Sequence, residues 1–330
     1  MNKKILIISR SGDAHLPFVT KHLQGEDVVL MNPSDVIFGH TIDFSFSKNG
    51  GGLRTFYKGE PLDNVKSVWL RRPVLLADRM RDIPLDDSYK PYIQNSLETH
   101  ITMLAQAFPA ATWMSEVGNI READSKLLQM RFATKLGFNV PDTLFASDGK
   151  LAKAFVNKHK ICIAKTQSSI FPKNKLVFTK IIRDSDGLDY THLNLDPYIF
   201  QQYIEPSYEL RITVVGDKVF ATKVFGKETD GVESGFRDWR FAHANDTFGA
   251  AAAEISPELE EQCRQLVKEL KLQFGAIDII VDKDKKAWFL EINPNGQWAF
   301  VEQHTGQSIG KAVADVLRGV PQKQGGKEGS

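Results

Sequence analysis

Two acidic residues stand where acids are costly. Asp278 interrupts Gly275-Ala276-Ile277-Asp278-Ile279-Ile280-Val281, and Glu291 interrupts Trp288-Phe289-Leu290-Glu291-Ile292, which runs on into Asn293-Pro294-Asn295-Gly296. A carboxylate inside an apolar strand is unfavourable unless a partner or a cation meets it. The two runs are joined by Asp282-Lys283-Asp284-Lys285-Lys286, a short polar turn that makes them neighbouring strands and brings the acids together. Close carboxylates repel, and a divalent cation removes that repulsion. Asn293 follows Glu291 at the spacing that shares one face of an extended strand. Two carboxylates and an amide oxygen form an oxygen-only set that suits Mg²⁺ sharing its shell with phosphate. The plainer reading, exposed charges on an edge hairpin, fits poorly with the apolar flanks and with the punctuation Asn-Pro-Asn-Gly.

Other side chains extend this chemistry. Lys165 ends the apolar strand Ile161-Cys162-Ile163-Ala164, where an ammonium needs an anion. Lys126 follows Asp124-Ser125 at a helix start, and its competing reading is a solvated helix lysine. Glu209 and Arg211 share one strand face. The planar fork of Arg211 suits a phosphate or carboxylate, or else an ion pair within the strand. His243 and His304 lie nearest this region among the histidines, and a structural role is the better reading of both. Cys162 and Cys263 are too far apart to suggest a disulfide framework or a metal pattern and read as buried thiols.

The elements that must position these groups follow from periodicity. Ile5 to Ile8 is a strand buried on both faces. A helix is predicted from Ala14 to Gln24, then strands at Val28 to Met31 and Val65 to Leu70, with a hairpin of Phe44 to Phe46 and Leu53 to Tyr57 between them. Tyr89 to Phe108 reads as one helix. Ser125 to Leu136 is a helix with Gly137 at its C-terminus. Strands are predicted at Thr143 to Ala146, Ile161 to Ala164, Val177 to Ile182 and Tyr198 to Tyr203, with a helix at Lys150 to Lys158. Glu209 to Val215 and Lys218 to Phe225 form a hairpin about Gly216-Asp217. Pro257 to Leu270 is a helix capped by Ser256, and Ser308 to Arg318 is the last helix. Gln322 to Ser330 is rich in Lys, Gly and Gln and is predicted to be disordered. The domain reading is 1–115, an open α/β unit; 116–204, a central unit; 205–320, a C-terminal unit with the acid pair; and 321–330, a flexible tail.

Composition narrows the class. The chain has 330 residues, 42% hydrophobic and 25% charged, which is ordinary globular usage. A net charge of +1 gives no field that would favour nucleic acid or an anionic membrane. No signal-peptide pattern and no membrane-length apolar run occurs, so a cytoplasmic location is expected. No G-x-G-x-x-G follows the first strand, which argues against a dinucleotide-binding dehydrogenase.

The acid pair with Asn293-Pro294-Asn295-Gly296 resembles the metal-binding hairpin of the ATP-grasp ligases. That resemblance implies an α/β ATP-grasp fold with ATP and Mg²⁺ as cofactors. It implies Asp278, Glu291 and Asn293 as metal ligands and Lys126 and Lys165 on the phosphates. Gln202, Tyr203 and Ile204 would form the hinge against adenine, Glu209 would lie in the nucleotide site, and Arg211 would meet the terminal phosphate and the acyl phosphate. The family's glycine-rich loop is missing, since Lys165 is followed by Thr166-Gln167-Ser168-Ser169-Ile170-Phe171. Trp69-Leu70-Arg71-Arg72-Pro73, Asp238-Trp239-Arg240 and Gln297-Trp298 narrow the resemblance to graspetide ligases, the microviridin-type enzymes that mature ribosomal peptides. These phosphorylate an Asp or Glu side chain of a precursor peptide, which Thr, Ser or Lys then attacks to close a macrolactone or macrolactam. The resemblance places Arg211 and Arg240 by the reacting carboxylate, with Asp238 orienting Arg240. Arg71 and Arg72 belong to the signature or form a solvated strand end. The implied partners are a precursor peptide with leader and core segments and a second copy of the chain in a homodimer. A ligase that adds amino acids to a protein or peptide terminus would carry the same hairpin.

Overall fold

The computed structural model describes residues 3–48, 52–73, 76–80, 83–166, 180–226 and 248–321. The N-terminal unit contains β1 (Lys4–Ile8), α1 (Leu16–Thr20), β2 (Asp27–Met31), β3 (Ile42–Ser47), β4 (Gly52–Tyr57), β5 (Glu60–Pro61), β6 (Val65–Leu70), α2 (Leu76–Met80), α3 (Lys90–Thr102), α4 (Leu104–Ala107) and β7 (Thr112–Trp113). A parallel sheet in the order β2-β1-β6-β7 forms its centre, and β3-β4-β5 form a separate antiparallel sheet. The unbroken apolar run of β1 is explained by burial on two sides. Ile5 and Ile7 enter one core with Leu16, Val19 and Trp69, while Leu6 and Ile8 enter another with Met31 and Phe108.

Two helices differ from the sequence expectation. The first is confined to Leu16–Thr20, because the Asp13 carboxylate accepts the His15 N–H at 2.8 Å and holds this stretch in a turn, and Pro17 then opens the helix. The helix predicted over Tyr89 to Phe108 is broken at Met103. There the Thr99 and Thr102 hydroxyls donate back to the carbonyls of Asn95 and Glu98, a contact that bends helices.

Next come α5 (Val117–Ala123) and α6 (Lys126–Lys135), which is capped by the Ser125 hydroxyl accepting Leu128 N–H and followed by Gly137 at φ 83°. An antiparallel sheet in the order β10-β9-β11-β8 then forms from β8 (Thr143–Ala146), β9 (Ile161–Thr166), β10 (Lys180–Arg183) and β11 (Tyr198–Gln202), with α7 (Gly149–His159) on one face. This unit has its own core of Ala152, Val156, Cys162, Ile182 and Phe200. By packing, α5 and α6 join the C-terminal core instead, through Ala123, Ala133 and Phe138.

The C-terminal unit is an antiparallel sheet in the order β14-β13-β12-β15-β16, made of β12 (Tyr208–Val215), β13 (Lys218–Gly226), β14 (Phe248–Ala252), β15 (Phe274–Val281) and β16 (Ala287–Asn293). Gly216 at φ 56° makes the tight turn between β12 and β13. One face packs on α8 (Pro257–Glu269) through Leu210, Ile212, Ile277, Ile279, Cys263 and Leu266. The other meets α9 (Ala299–Thr305), α10 (Ile309–Arg318) and the N-terminal sheet in a core that holds Ile5, Val215, Ala276, Trp298 and Val313 together. Among the described residues no helix is long and apolar enough to cross a membrane.

Candidate active site

Sheet register builds the site. Arg211 on β12 lies opposite Asp278 on β15, and Asp278 lies opposite Glu291 on β16. The row continues away from the acids to Thr222 on β13. All four side chains share the face turned toward the N-terminal unit. This arrangement requires an irregularity, because Phe289 packs in the core on the opposite face and strict alternation would send Glu291 after it. The register shifts between Asp278 and Ile279, so Phe289 pairs with Ile279 and Leu290 is the extra residue. This bulge returns Glu291 to the site face, and Asn293, opposite Ala276, follows it.

Each acid meets a cation. Arg211 Nη1 donates to Asp278 Oδ1 at 2.6 Å, with both side chains buried. Lys126 Nζ lies 2.8 Å from Glu291 Oε2. Arg211 Nη2 also donates to the carbonyl of Gln297 at 3.3 Å. Asn293 Oδ1 accepts the N–H of Asn295 at 3.0 Å. Gly296 is forced by close approach, since a Cβ there would lie 2.6 Å from Arg211 Nη2 and 2.6 Å from Ala276 Cβ.

A side chain that the sequence reading passed over locks this edge. Gln129 lies one turn beyond Lys126 on α6 and is 1% exposed. Its amide oxygen accepts Ile292 N–H at 3.1 Å, and its amide nitrogen donates to Ile292 O at 2.8 Å and to Ala123 O at 2.7 Å. Gln129 thus grips the backbone between Glu291 and Asn293. The i, i+3 spacing from Lys126 was the available signal.

The loop after the hairpin is held from the N-terminal unit. Arg71, 1% exposed, donates through Nη1 to Asn295 O at 2.6 Å and to Asn295 Oδ1 at 2.8 Å, and Asn295 Nδ2 donates back to Arg71 O. His15 Nδ1 donates to Asp13 Oδ1 at 2.7 Å, and Nε2 accepts Trp298 N–H at 3.0 Å. These partners set the tautomer. Burial lowers the His15 pKa, as does the Arg71 charge, against the raising effect of Asp13. Burial alone would raise Asp13, but the His15 hydrogen bonds and Arg71 hold it down at about 2. Burial brings Arg71 down to about 10, so it remains protonated at neutral pH. The reading of Arg71 as a solvated strand end is therefore corrected. Arg72 is exposed.

The remaining candidates lie around the central sheet. Lys165 on β9 donates through Nζ to Gln201 Oε1 at 3.5 Å. The N–H of Gln202 donates to Asp142 O at 2.8 Å and that of Tyr203 to Ile161 O at 3.3 Å, and Ile204 follows the strand end. Glu209 lies on the Arg211 face of β12, one step along toward its start. His304 donates from Nδ1 to Phe300 O within α9, a structural contact. Asp238, Arg240, His243, the segment from Gln167 to Phe171 and the tail from Gln322 lie outside the described residues.

The donor set fits Mg²⁺. Among the described residues no group of three or more His, Cys, Asp or Glu side chains comes together to hold a metal unaided. Two carboxylates and one amide oxygen suit a hard cation that completes its shell with phosphate oxygens and water.

A five-stranded sheet carrying an arginine and two acids in one row, a second antiparallel sheet beside it and a parallel N-terminal unit define an ATP-grasp ligase. A family model described as the RimK-like ATP-grasp domain matches residues 123–317, more than half of the chain. The chain belongs to this family and is an ATP-dependent ligase. It is similar to a RiPP-associated ATP-grasp ligase of Chryseobacterium gregarium, solved with ADP and a leader and core peptide, at 26% identity over 98% of each chain and a TM-score of 0.86. The fold is shared with macrocyclase MdnC of Microcystis aeruginosa, solved with precursor peptide MdnA, at 24% identity over 96% of this chain and 99% of that one, TM-score 0.80. Macrocyclase MdnB of the same organism matches at 22% identity over 96% and 99%, TM-score 0.75. No curated protein matches the sequence.

Proposed function

We propose that this ligase closes rings in a ribosomal precursor peptide, activating Asp or Glu side chains as acyl phosphates and joining them to Thr, Ser or Lys of the same peptide. The observation that carries this reading is likeness over the full length, N-terminal unit included, to a ligase solved with a leader and core peptide. Asp278, Glu291 and Asn293 would hold Mg²⁺, which when bound neutralises phosphate charge. A substrate carboxylate oxygen attacks the γ-phosphorus, the bond to the β-phosphate oxygen breaks, and ADP leaves. A hydroxyl or amine then attacks the acyl carbon, loses its proton and expels phosphate. Arg211 lies where a cation would meet the acyl phosphate, and Lys126 and Lys165 would meet the ATP phosphates. With the Gln202 and Tyr203 N–H groups engaged inside the chain, the backbone donor for adenine would come from Ile204. Arg240 would meet the reacting carboxylate, with Asp238 orienting Arg240. The protein would act as a homodimer in the cytoplasm.

The test is a mass spectrum of a precursor peptide after incubation with the ligase, ATP and Mg²⁺. Loss of one water per bond, dependent on ATP, is expected, and Asp278→Ala and Glu291→Ala should abolish it while leaving the circular dichroism spectrum unchanged. The same hairpin would also serve a second reading, addition of amino acids to a peptide or protein terminus. A gain of residue mass in place of water loss would establish that reading.

A further inference from the structure

Arg71 directly follows β6 in the N-terminal unit, far in sequence from the acid pair, yet its guanidinium is turned to the loop that follows Asn293. Two hydrogen bonds run from Nη1 to Asn295, one to the backbone carbonyl and one to the side chain, and Asn295 returns a third to the Arg71 carbonyl. Asn295 N–H in turn fixes Asn293 Oδ1. One residue pair further on, the Gln297 carbonyl accepts from Arg211 and the Trp298 N–H donates to His15. His15 is braced by Asp13, and Arg71 Nη2 lies 3.2 and 3.1 Å from the two His15 ring nitrogens. At 1% exposure Arg71 has no surface to offer a substrate. A buried cation bound to a loop by three reciprocal hydrogen bonds sets where that loop's neighbours stand.

We propose that Arg71, seated on His15 and Asp13, is a positioning residue for the nucleotide site: through Asn295 it aims the Asn293 amide oxygen, and through the same loop it seats Arg211. The inference rests on the assignment of Asn293 to a Mg²⁺–nucleotide site. It assigns to the N-terminal unit a share in phosphate binding exerted through the Arg71–Asn295 contact.

The test is titration of Mg²⁺ with the non-hydrolysable analogue AMPPNP into the full chain, the single variants Arg71→Met, Arg71→Lys and Asn295→Ala, and the double variant Arg71→Met with Asn295→Ala, with thermal unfolding of each followed alongside. Arg71→Met and Asn295→Ala should each weaken binding by about tenfold or more, the range for supports of metal ligands. The double variant should be no weaker than the worse single one, because both cut the same connection. Arg71→Lys keeps the charge without the fork and should recover only part of the affinity. Affinities within twofold of the parent in both Arg71→Met and Asn295→Ala, whatever happens to their melting, would reduce Arg71 to a buried structural cation. Additive losses would also overturn the proposal, since Arg71 would then act by a route other than Asn295. If the parent chain itself fails to bind the analogue, the nucleotide site is misassigned and the inference goes with it.

Discussion

Gly296 is a point of close packing beside Arg211. A methyl group there would meet the Arg211 guanidinium on one side and the Ala276 side chain on the other, and Ala276 sits in a strand that cannot move away. The arginine must therefore give. Gly296→Ala should cost about 1–3 kcal/mol of stability by overpacking. Its larger effect should be on turnover, lowered about a hundredfold as Arg211 is displaced, while ATP affinity changes less. Steady-state kinetics with a separate nucleotide titration would check this; unchanged kcat would remove Arg211 from the reacting centre. At this scale the sequence was most informative where chemistry and hydrophobicity conflict. Asp278 and Glu291 could be found because each breaks an apolar run. Arg71 stood at the end of such a run, where exposure and burial look alike in sequence. Gln129 carries no charge, and its i, i+3 spacing from Lys126 is a signal too weak to single it out.

Among the elements, β16 shows what periodicity can and cannot supply. Its existence, its hairpin with β15 and the meeting of the two acids follow from the apolar runs and the short polar turn. The bulge at Leu290 does not, because an extra residue leaves composition unchanged, and yet it decides the face on which Glu291 stands. The N-terminal helices failed for a related reason. Local side-chain hydrogen bonds at Asp13, Thr99 and Thr102 compete with the helix in ways that a hydrophobic pattern does not record. The grip of α6 on β16 yields a prediction. Gln129→Leu fills similar volume but leaves the N–H and carbonyl of Ile292 and the carbonyl of Ala123 without their partner. Each unsatisfied buried group costs about 1–3 kcal/mol. Chemical unfolding should show a loss in that range or above, with faster hydrogen exchange at the Ile292 amide. An unchanged Ile292 exchange rate would mean that the clamp contributes nothing.

For the whole molecule, the N-terminal and C-terminal units share one core, and Ser67 Oγ donates to Leu317 O at 2.7 Å across their junction. Gly310 presses so closely on Phe18 that a Cβ would lie 2.3 Å from its carbonyl oxygen. The central sheet keeps a core of its own, apart from this joint platform. The platform is pH-sensitive at His15. Its pKa in the folded chain lies below the ordinary 6.5. The unfolded chain therefore binds the proton more readily, so the stability of the neutral imidazole is complete above about 6.5 and is lost as pH falls toward the folded value. Asp13, Arg71 and Arg72 are the charges acting on it. Asp13, held at about 2, stays ionised through this window and adds no slope of its own near neutrality. Melting temperature should fall as pH drops below about 6.5, and His15→Gln should flatten that part of the profile. An identical slope in the variant would place the sensitivity elsewhere.

The strand that carries Glu291 and Asn293 is also the last of its sheet, and last strands invite other chains to pair with them. Here the invitation is withdrawn. Asn139 takes the Phe289 N–H and the Ala287 carbonyl, and Gln129 takes both backbone groups of Ile292. Gln129, which steadies the acid pair, thus also helps to leave no continuous ladder for a neighbouring molecule to extend, so replacing the Gln129 and Asn139 side chains should lower solubility along with precision.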